Sequence, residues 1–379
     1  MSDGKPNAAM YPWQLDPKLA PAIWGGDELV RTYGKHGDPH AKIGESWECW
    51  DTDAVTNGAL AGSTVAMLRE RLGAEFLGDL DPKQIFPVLT KIITAQEWLS
   101  VQVHPNDAYA QRVEHQLVGK TECWYVMAAH AGAELVVGWT RDTSRAEYEK
   151  RVANGTLAEI LRKVSVKAGD TVYVPSGMVH AIGPGVTVFE TQQASDLTYR
   201  LFDWNRAGLD GKPRELNVAK AADVLDYRAG GQSTLVQIDY HFEGLERTAL
   251  IADRRFTVER IVATAEPASL ATDGRPLIIM SLEHAMKVGC CGSTASLQKF
   301  QTVLIPAAAD CCTIQSGGES APLLFVTPAK SRDQLATRLI ASGIAQSQID
   351  VFNAQFSSSI GCEAHKRQLQ CEPDVQRKR

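Results

Sequence analysis

Gly169-Asp170-Thr171-Val172-Tyr173-Val174-Pro175-Ser176-Gly177-Met178-Val179-His180 is the stretch from which the fold can be read. Its β-branched and aromatic run, Thr171–Val174, has the composition of a strand. Pro175 and Gly177 then turn the chain sharply. The spacing G-x5-P-x-G-x2-H delivers His180 just beyond that turn, where it can face the mouth of a β-barrel. A structural histidine would also satisfy the pattern, but so many turn residues at fixed spacing favour a metal ligand.

Outward from this stretch, short strand-like runs recur at Glu97–Val103, Glu122–Met127, Glu134–Trp139, Val186–Thr191 and Leu197–Trp204. Strands at such intervals, separated by Gly, Pro and Asp, indicate an antiparallel sandwich or barrel. Two inserts have helical spacing: Val65, Leu68, Leu72 and Phe76 within Gly62–Gly78, and Tyr148, Val152, Leu157 and Leu161 within Thr143–Lys163. Tyr227–Thr234 is polar and glycine-rich, a linker. Beyond it, Phe256–Ala263, Pro276–Val288, Ala295–Ile305, Asp310–Gln315 and Leu323–Val326 predict a second, smaller β-barrel, and Ala329–Phe356 turns helical. The expected architecture is mainly β with helical inserts. It divides into residues 1–226, a linker at 227–234, a second β domain at 235–328, and a helical extension with a basic tail at 329–379. A chain of 379 residues is long enough for two cores.

Composition narrows the function. A net charge of −6 without an acidic block argues against nucleic acid as a partner, and Arg377-Lys378-Arg379, with Lys366 and Arg367, reads as a solvated, frayed tail. Met1–Pro21 is polar and lacks the apolar run of a signal peptide, and no stretch is apolar enough to span a bilayer, so a cytosolic protein is expected. The eight cysteines include the vicinal pairs Cys290-Cys291 and Cys311-Cys312 and read as buried free thiols.

Alternation along Leu99–His104 puts Ser100, Gln102 and His104 on one face. A Gln-x-His strand is weak by itself, since a satisfied structural histidine fits it equally. In Gly119-Lys120-Thr121-Glu122-Cys123-Trp124-Tyr125, the same alternation groups Lys120, Glu122 and Trp124. A surface ion pair would explain Lys120 and Glu122, but the apolar run that follows argues that this face is buried. Gln102, His104, Glu122 and His180 together form a nitrogen and oxygen set without thiolate, suited to Zn2+ or another first-row divalent ion. Lys91 lies within the apolar strand Val88–Ile93, where it needs an anionic partner: a substrate phosphate or a carboxylate such as Glu190.

At this point the chain resembles a known family. Gly169–His180 matches the second motif of the cupins. Trp24-Gly25-Gly26, Gly44-Glu45-Ser46-Trp47-Glu48, Phe86–Lys91, Ser100–Asp107, Gly119–Tyr125, Val174–Gly177 and Glu190–Asp203 are similar to the type I phosphomannose isomerases in their short bacterial form. The resemblance implies two cupin-type jelly-roll barrels, the second degenerate and without a metal. It implies one Zn2+ per chain held by Gln102, His104, Glu122 and His180. Arg200, Lys120, Glu190 and Asp196 become the expected catalytic residues, and Lys91, Arg200 and Ser100 the expected contacts to the substrate. The implied reaction interconverts mannose 6-phosphate and fructose 6-phosphate through a cis-enediol. Gly119 stands where some members carry histidine, and Arg206 where some carry lysine.

Glu190, Lys120 and Asp196 are unranked as the proton-transfer base. The expected partner is a small sugar phosphate, with no nucleic acid and no membrane, and the protein a monomer or homodimer. Two rivals share the fold: an Fe2+ cupin dioxygenase, which usually uses more histidines, and a sugar-phosphate sensor without turnover.

Overall fold

A computed structural model describes residues 9–229, 234–329 and 331–357. It is mainly β, and every pair of strands within its sheets is antiparallel. One sheet has six strands in the order Lys18–Gly26, Ile43–Cys49, Val88–Thr94, Val186–Gln193, Glu122–Ala129, Thr171–Val174. A second has five, in the order Tyr199–Phe202, Val101–Val103, His180–Ile182, Glu134–Trp139, Leu161–Ser165.

The facing sides of these two sheets share a core. Ile93, Trp124, Val126, Val172, Val174 and Val188 of the first join Leu135, Val137 and Ile182 of the second. The inward rows change character along their length. Alternation puts Glu190 and Gln192 on the same side as Val188, and Glu122 on the same side as Trp124 and Val126. Hydrocarbon therefore fills one end of the sandwich interior, while carboxylates and amides occupy the other.

The outer side of the five-stranded sheet is covered by the helices Arg145–Ala153 and Val218–Val224, through Tyr148, Ala221 and Ala222. Ser144 begins the first of these by accepting a hydrogen bond from the Glu147 N–H.

The later half holds a seven-stranded sheet, in the order Trp13–Gln14, Thr302–Ile305, Leu277–Ser281, Ala321–Pro328, Phe256–Ala263, Leu245–Ala252, Ile238–Phe242. A four-stranded sheet, Ala268–Ala271, Cys311–Ser316, Met286–Cys290, Ser293–Leu297, packs with it around Ile261, Ile279, Leu323, Val288 and Ile314. Another cluster runs between the halves, from Ile92, Cys123 and Phe189 to Ile278, Met280 and Leu324. Leu335 and Leu339 of helix Arg332–Ala341, and Ile349 and Phe352 of helix Gln346–Ala354, belong to it.

Several expected elements come out differently. The helix expected over Gly62–Gly78 is two, Val65–Leu72 and Ala74–Leu77, because Gly73 adopts a φ of 51° between them. Helix stops at Ala153 within Thr143–Lys163, at a turn where Gly155 has a φ of 69°, and Leu161–Ser165 is an edge strand. Pro276–Val288 and Ala295–Ile305 each contain a break. Of Glu97–Val103 only Val101–Val103 is regular strand; Leu99 donates to the Ile182 carbonyl, and Gln96 and Glu97 donate to that of Trp24.

Cys291 and Cys311 are exposed, correcting the expectation of buried thiols, whereas Cys49, Cys123, Cys290 and Cys312 are buried. The remaining two cysteines and the basic tail lie outside the described residues. No helix among the described residues is long and apolar enough to cross a membrane.

Candidate metal centre and active site

The strand register assembles the polar end. His180 stands directly opposite Gln102, and Gln102 opposite Arg200, so all three side chains leave one face of the five-stranded sheet. Across the interior, Glu190 is opposite both Lys91 and Trp124, Gln192 is opposite Glu122, and Trp47 is opposite Lys91. The turn read from Pro175 and Gly177 closes on the first motif: the Gly177 N–H donates to the His104 carbonyl at 2.9 Å. Gly177 has a φ of 90°, a conformation open to glycine at little cost.

Three groups converge there. His104 Nε2 lies 3.4 Å from Glu122 Oε2, and His180 Nε2 lies 3.3 Å from Glu122 Oε1. All three residues are at most 1% exposed. Each imidazole has its other nitrogen 2.8 Å from a backbone carbonyl, Leu197 for His104 and Met178 for His180. A carbonyl only accepts, so both Nδ1 atoms carry the proton. Burial, reinforced by the Lys120 ammonium, lowers the His104 pKa to about 3, and burial likewise lowers that of His180. Both rings are therefore neutral, with bare Nε2 lone pairs aimed at a carboxylate.

Two lone pairs and an anion facing one another in a dry site repel unless a cation sits among them. His104 Nε2 and His180 Nε2 have no hydrogen-bond partner among the described residues. The three groups offer one ligand atom each within 4.8 Å of one another, and they are the only such cluster found among those residues. Ligands about 2.0–2.2 Å from a tetrahedral zinc are roughly 3.4 Å apart, close to the separations seen. The donor set fits zinc.

A lysine and carboxylate layer adjoins this centre. Lys120 Nζ is 3.0 Å from Glu122 Oε2. Burial alone would lower the Lys120 pKa, but Glu122, Glu190 and Asp196 outweigh it and hold the ammonium charged. Burial alone would raise the Glu122 pKa, but the Lys120 ammonium outweighs it and holds the carboxyl well below the carboxylate range. Lys91 Nζ is 3.1 Å from Glu45 Oε2, 3.7 Å from Glu190 Oε1 and 3.9 Å from Asp196 Oδ1. Trp124 Nε1 donates to Glu190 Oε2 at 3.0 Å. Burial and the Glu122 charge raise Glu190 to about 7, against the pull of Lys120 and Lys91.

The remaining expected residues are less enclosed. The Asp196 side chain is 65% exposed and stands at the mouth. Gln102 and Arg200 are half-buried, and Ser100 is buried on the Gln102 side of its strand. Arg200 spends Nη1 on the Glu215 carbonyl at 3.1 Å, while its buried Nε has no partner among the described residues.

Comparison with known proteins settles the family. The model of the type I phosphomannose isomerase catalytic domain matches residues 13–149. The mannose-6-phosphate isomerase of Streptococcus mutans is 39% identical over 251 residues, 65% of this chain and 77% of that protein. The chain belongs to the type I phosphomannose isomerases. A Bacillus subtilis mannose-6-phosphate isomerase is also 39% identical over 251 residues, 65% of this chain and 78% of its own. A crystal structure of the Bacillus subtilis mannose 6-phosphate isomerase superposes with a TM-score of 0.76 at 31% identity, covering 83% of this chain and 99% of that one. A zinc-bound mannose 6-phosphate isomerase shares the fold, with a TM-score of 0.67 at 13% identity over 85% of this chain and 100% of the other. The chain is thus an isomerase of cupin fold, with a His104, Glu122 and His180 set that can hold a metal ion.

Four contacts of the site went unread in the sequence. Glu45 is the nearest anion to Lys91, Trp47 has its ring 4.8 Å from the same ammonium, and Trp124 orients Glu190. Gln193 ties the strap before Glu122, accepting from the Thr121 N–H and donating to Asp107, each at 2.9 Å. Alternation within Gly44–Cys49 would have placed Glu45 and Trp47 together, but nothing local marks Lys91 as their partner. Gly119 is also explained here. A Cβ at that position would lie 2.2 Å from the Pro105 carbonyl oxygen, so the strap leaves no room for the histidine carried by some relatives.

Proposed function

We propose that His104, Glu122 and His180, with Gln102 as a weaker fourth ligand, hold one zinc beside a pocket that interconverts mannose 6-phosphate and fructose 6-phosphate. When bound, zinc supplies a Lewis-acidic positive centre that polarises the sugar's C1 and C2 oxygens. The chain's own groups divide the rest. Glu190, raised to about 7 where a base works best, takes the proton from C2 of the open-chain aldose and returns it to C1, while the C2 hydroxyl proton passes to the C1 oxygen. Trp124 fixes one of the Glu190 oxygens, and the Lys91 ammonium stands 3.7 Å from the other. Lys120 stays protonated and stabilises negative charge developing on the enediolate oxygens. Arg200 uses its free guanidinium edge for the phosphate or for those oxygens, and Asp196 and Ser100 border the entrance.

The observation that carries this reading is the pair of buried, unprotonated Nε2 atoms of His104 and His180 facing the two oxygens of the Glu122 carboxylate. The same reading takes the enzyme to be cytoplasmic, a monomer or homodimer acting on a small sugar phosphate, with the catalytic half at 1–226 and the second β domain at 235–328. The test is production of fructose 6-phosphate from mannose 6-phosphate. Turnover lost on chelation and recovered with Zn2+ is expected; tight substrate binding without turnover in the zinc-loaded protein would show a sensor instead.

A further inference from the structure

A cavity of about 250 Å³ lies between the seven-stranded sheet and helix Arg332–Ala341, its lining including Phe242, Arg247, Phe325, Gln334, Thr337 and Arg338. Register explains how charge reaches it. Tyr240 is opposite Arg247, and Glu259 is opposite Phe325, so these four side chains with Phe242 leave one face of the sheet. Glu259 is fully buried and accepts from the Tyr240 hydroxyl and from Arg338 Nη2. Arg338 gives its other terminal nitrogen to Asp273 at 3.1 Å. Both of its terminal nitrogens are thus engaged, although its Nε has no partner among the described residues.

Arg247 differs. It is only 4% exposed, yet its ion pair with Glu259 is 3.8 Å long, beyond hydrogen-bond range, and its Nε has no partner among the described residues. A buried guanidinium with unspent donors is costly, and Arg247 lines a cavity large enough for a small ligand. The Phe242 ring lies 5.6 Å from the guanidinium carbon, and Phe325 supplies a second apolar wall.

We propose that this cavity binds a small organic monoanion, a carboxylate on a flat apolar body, with Arg247 donating to the carboxylate and the two phenylalanines covering the body. One unspent guanidinium matches one negative charge. Glu243 and Asp273 also border the space, and the other lining cation, Arg338, is already paired with Glu259 and Asp273, so a dianionic phosphate would meet repulsion. Gln334, Thr337 and Arg338 come from the C-terminal extension, so an occupied cavity ties that helix to the sheet and gives the extension a role separate from the zinc centre.

Benzoate is the probe, titrated calorimetrically into the full-length zinc-loaded enzyme, with benzyl alcohol as the neutral isostere and inorganic phosphate as the dianion. Saturable 1:1 binding of benzoate is expected, with both controls weaker by about tenfold or more. Arg247→Met should abolish binding. Thr337→Phe, at an exposed helix position bordering the mouth, should weaken it about tenfold while turnover of mannose 6-phosphate stays unchanged. Three results would overturn the proposal: no benzoate binding at millimolar concentration, equal affinity in wild type and both variants, or phosphate binding as tightly as benzoate.

Discussion

Burial raises the carboxyl groups of both Glu190 and Asp53, to about 7 and about 8 respectively, but the two have different surroundings. Glu190 faces two ammonium groups and an indole N–H in the pocket, so its titration can serve proton transfer. Glu190→Gln keeps an acceptor for Trp124 and removes the base. Its kcat should fall by about 10²–10⁴ with zinc content unchanged; an undiminished kcat would move the proton-transfer role to another residue. Asp53 is 3% exposed, has an unpartnered Oδ2 among the described residues, and is no part of the pocket. Its folded pKa lies above the ordinary carboxylate value of about 4, so the folded state holds a proton that the unfolded chain has released. Stability must therefore decline as pH climbs from about 4 towards 8 and level off beyond. Asp53→Asn should stabilise the fold at pH 8 by on the order of a few kcal/mol, seen as a higher Tm, with the gain fading near pH 4. A gain independent of pH would contradict this assignment.

Among the elements, the turn after Thr171–Val174 and the strap before Glu122 place the ligands. Gly177→Ala forces a side chain into a φ of 90°, at a cost of roughly 1–2 kcal/mol. Because the same residue anchors the His104 carbonyl, its zinc affinity should fall about 10–100-fold. Competition against a zinc chelator measures this, and wild-type affinity would show that the turn does not position the imidazoles. This element was legible in advance because its information is local: turn residues at fixed spacing and a two-residue period put His180 and Gln102 where they are found. Lys18–Gly26 was not legible, since Pro21 disguises a strand that lies at the sheet edge, where a missing N–H is tolerated. Pro276–Val288 reads as one apolar run although the chain turns back within it. The partnership of Lys91 with Glu45 depends on how separate strands pair, which alternation along a single strand does not reveal.

For the whole molecule, the two β halves share apolar packing and even a sheet. Trp13 is fully buried, pairs with Leu304 of the later half, and has its ring 4.8 Å from that of Phe76. The Tyr173 hydroxyl, beside the metal-bearing turn, donates to Asp253 at 2.7 Å. Trp13→Ala should therefore cost about 3–5 kcal/mol and lower the melting of both halves together in calorimetry, while kcat per folded molecule stays unchanged. Two separated transitions, with only one displaced, would show that the halves unfold independently. The central claim remains the zinc centre at the polar end of the first sandwich. Its most direct test measures bound zinc and mannose 6-phosphate turnover together in Glu122→Gln. Wild type should carry one zinc per chain, and the variant should lose metal and turnover in parallel; a variant that isomerises at the wild-type rate without bound metal would contradict it.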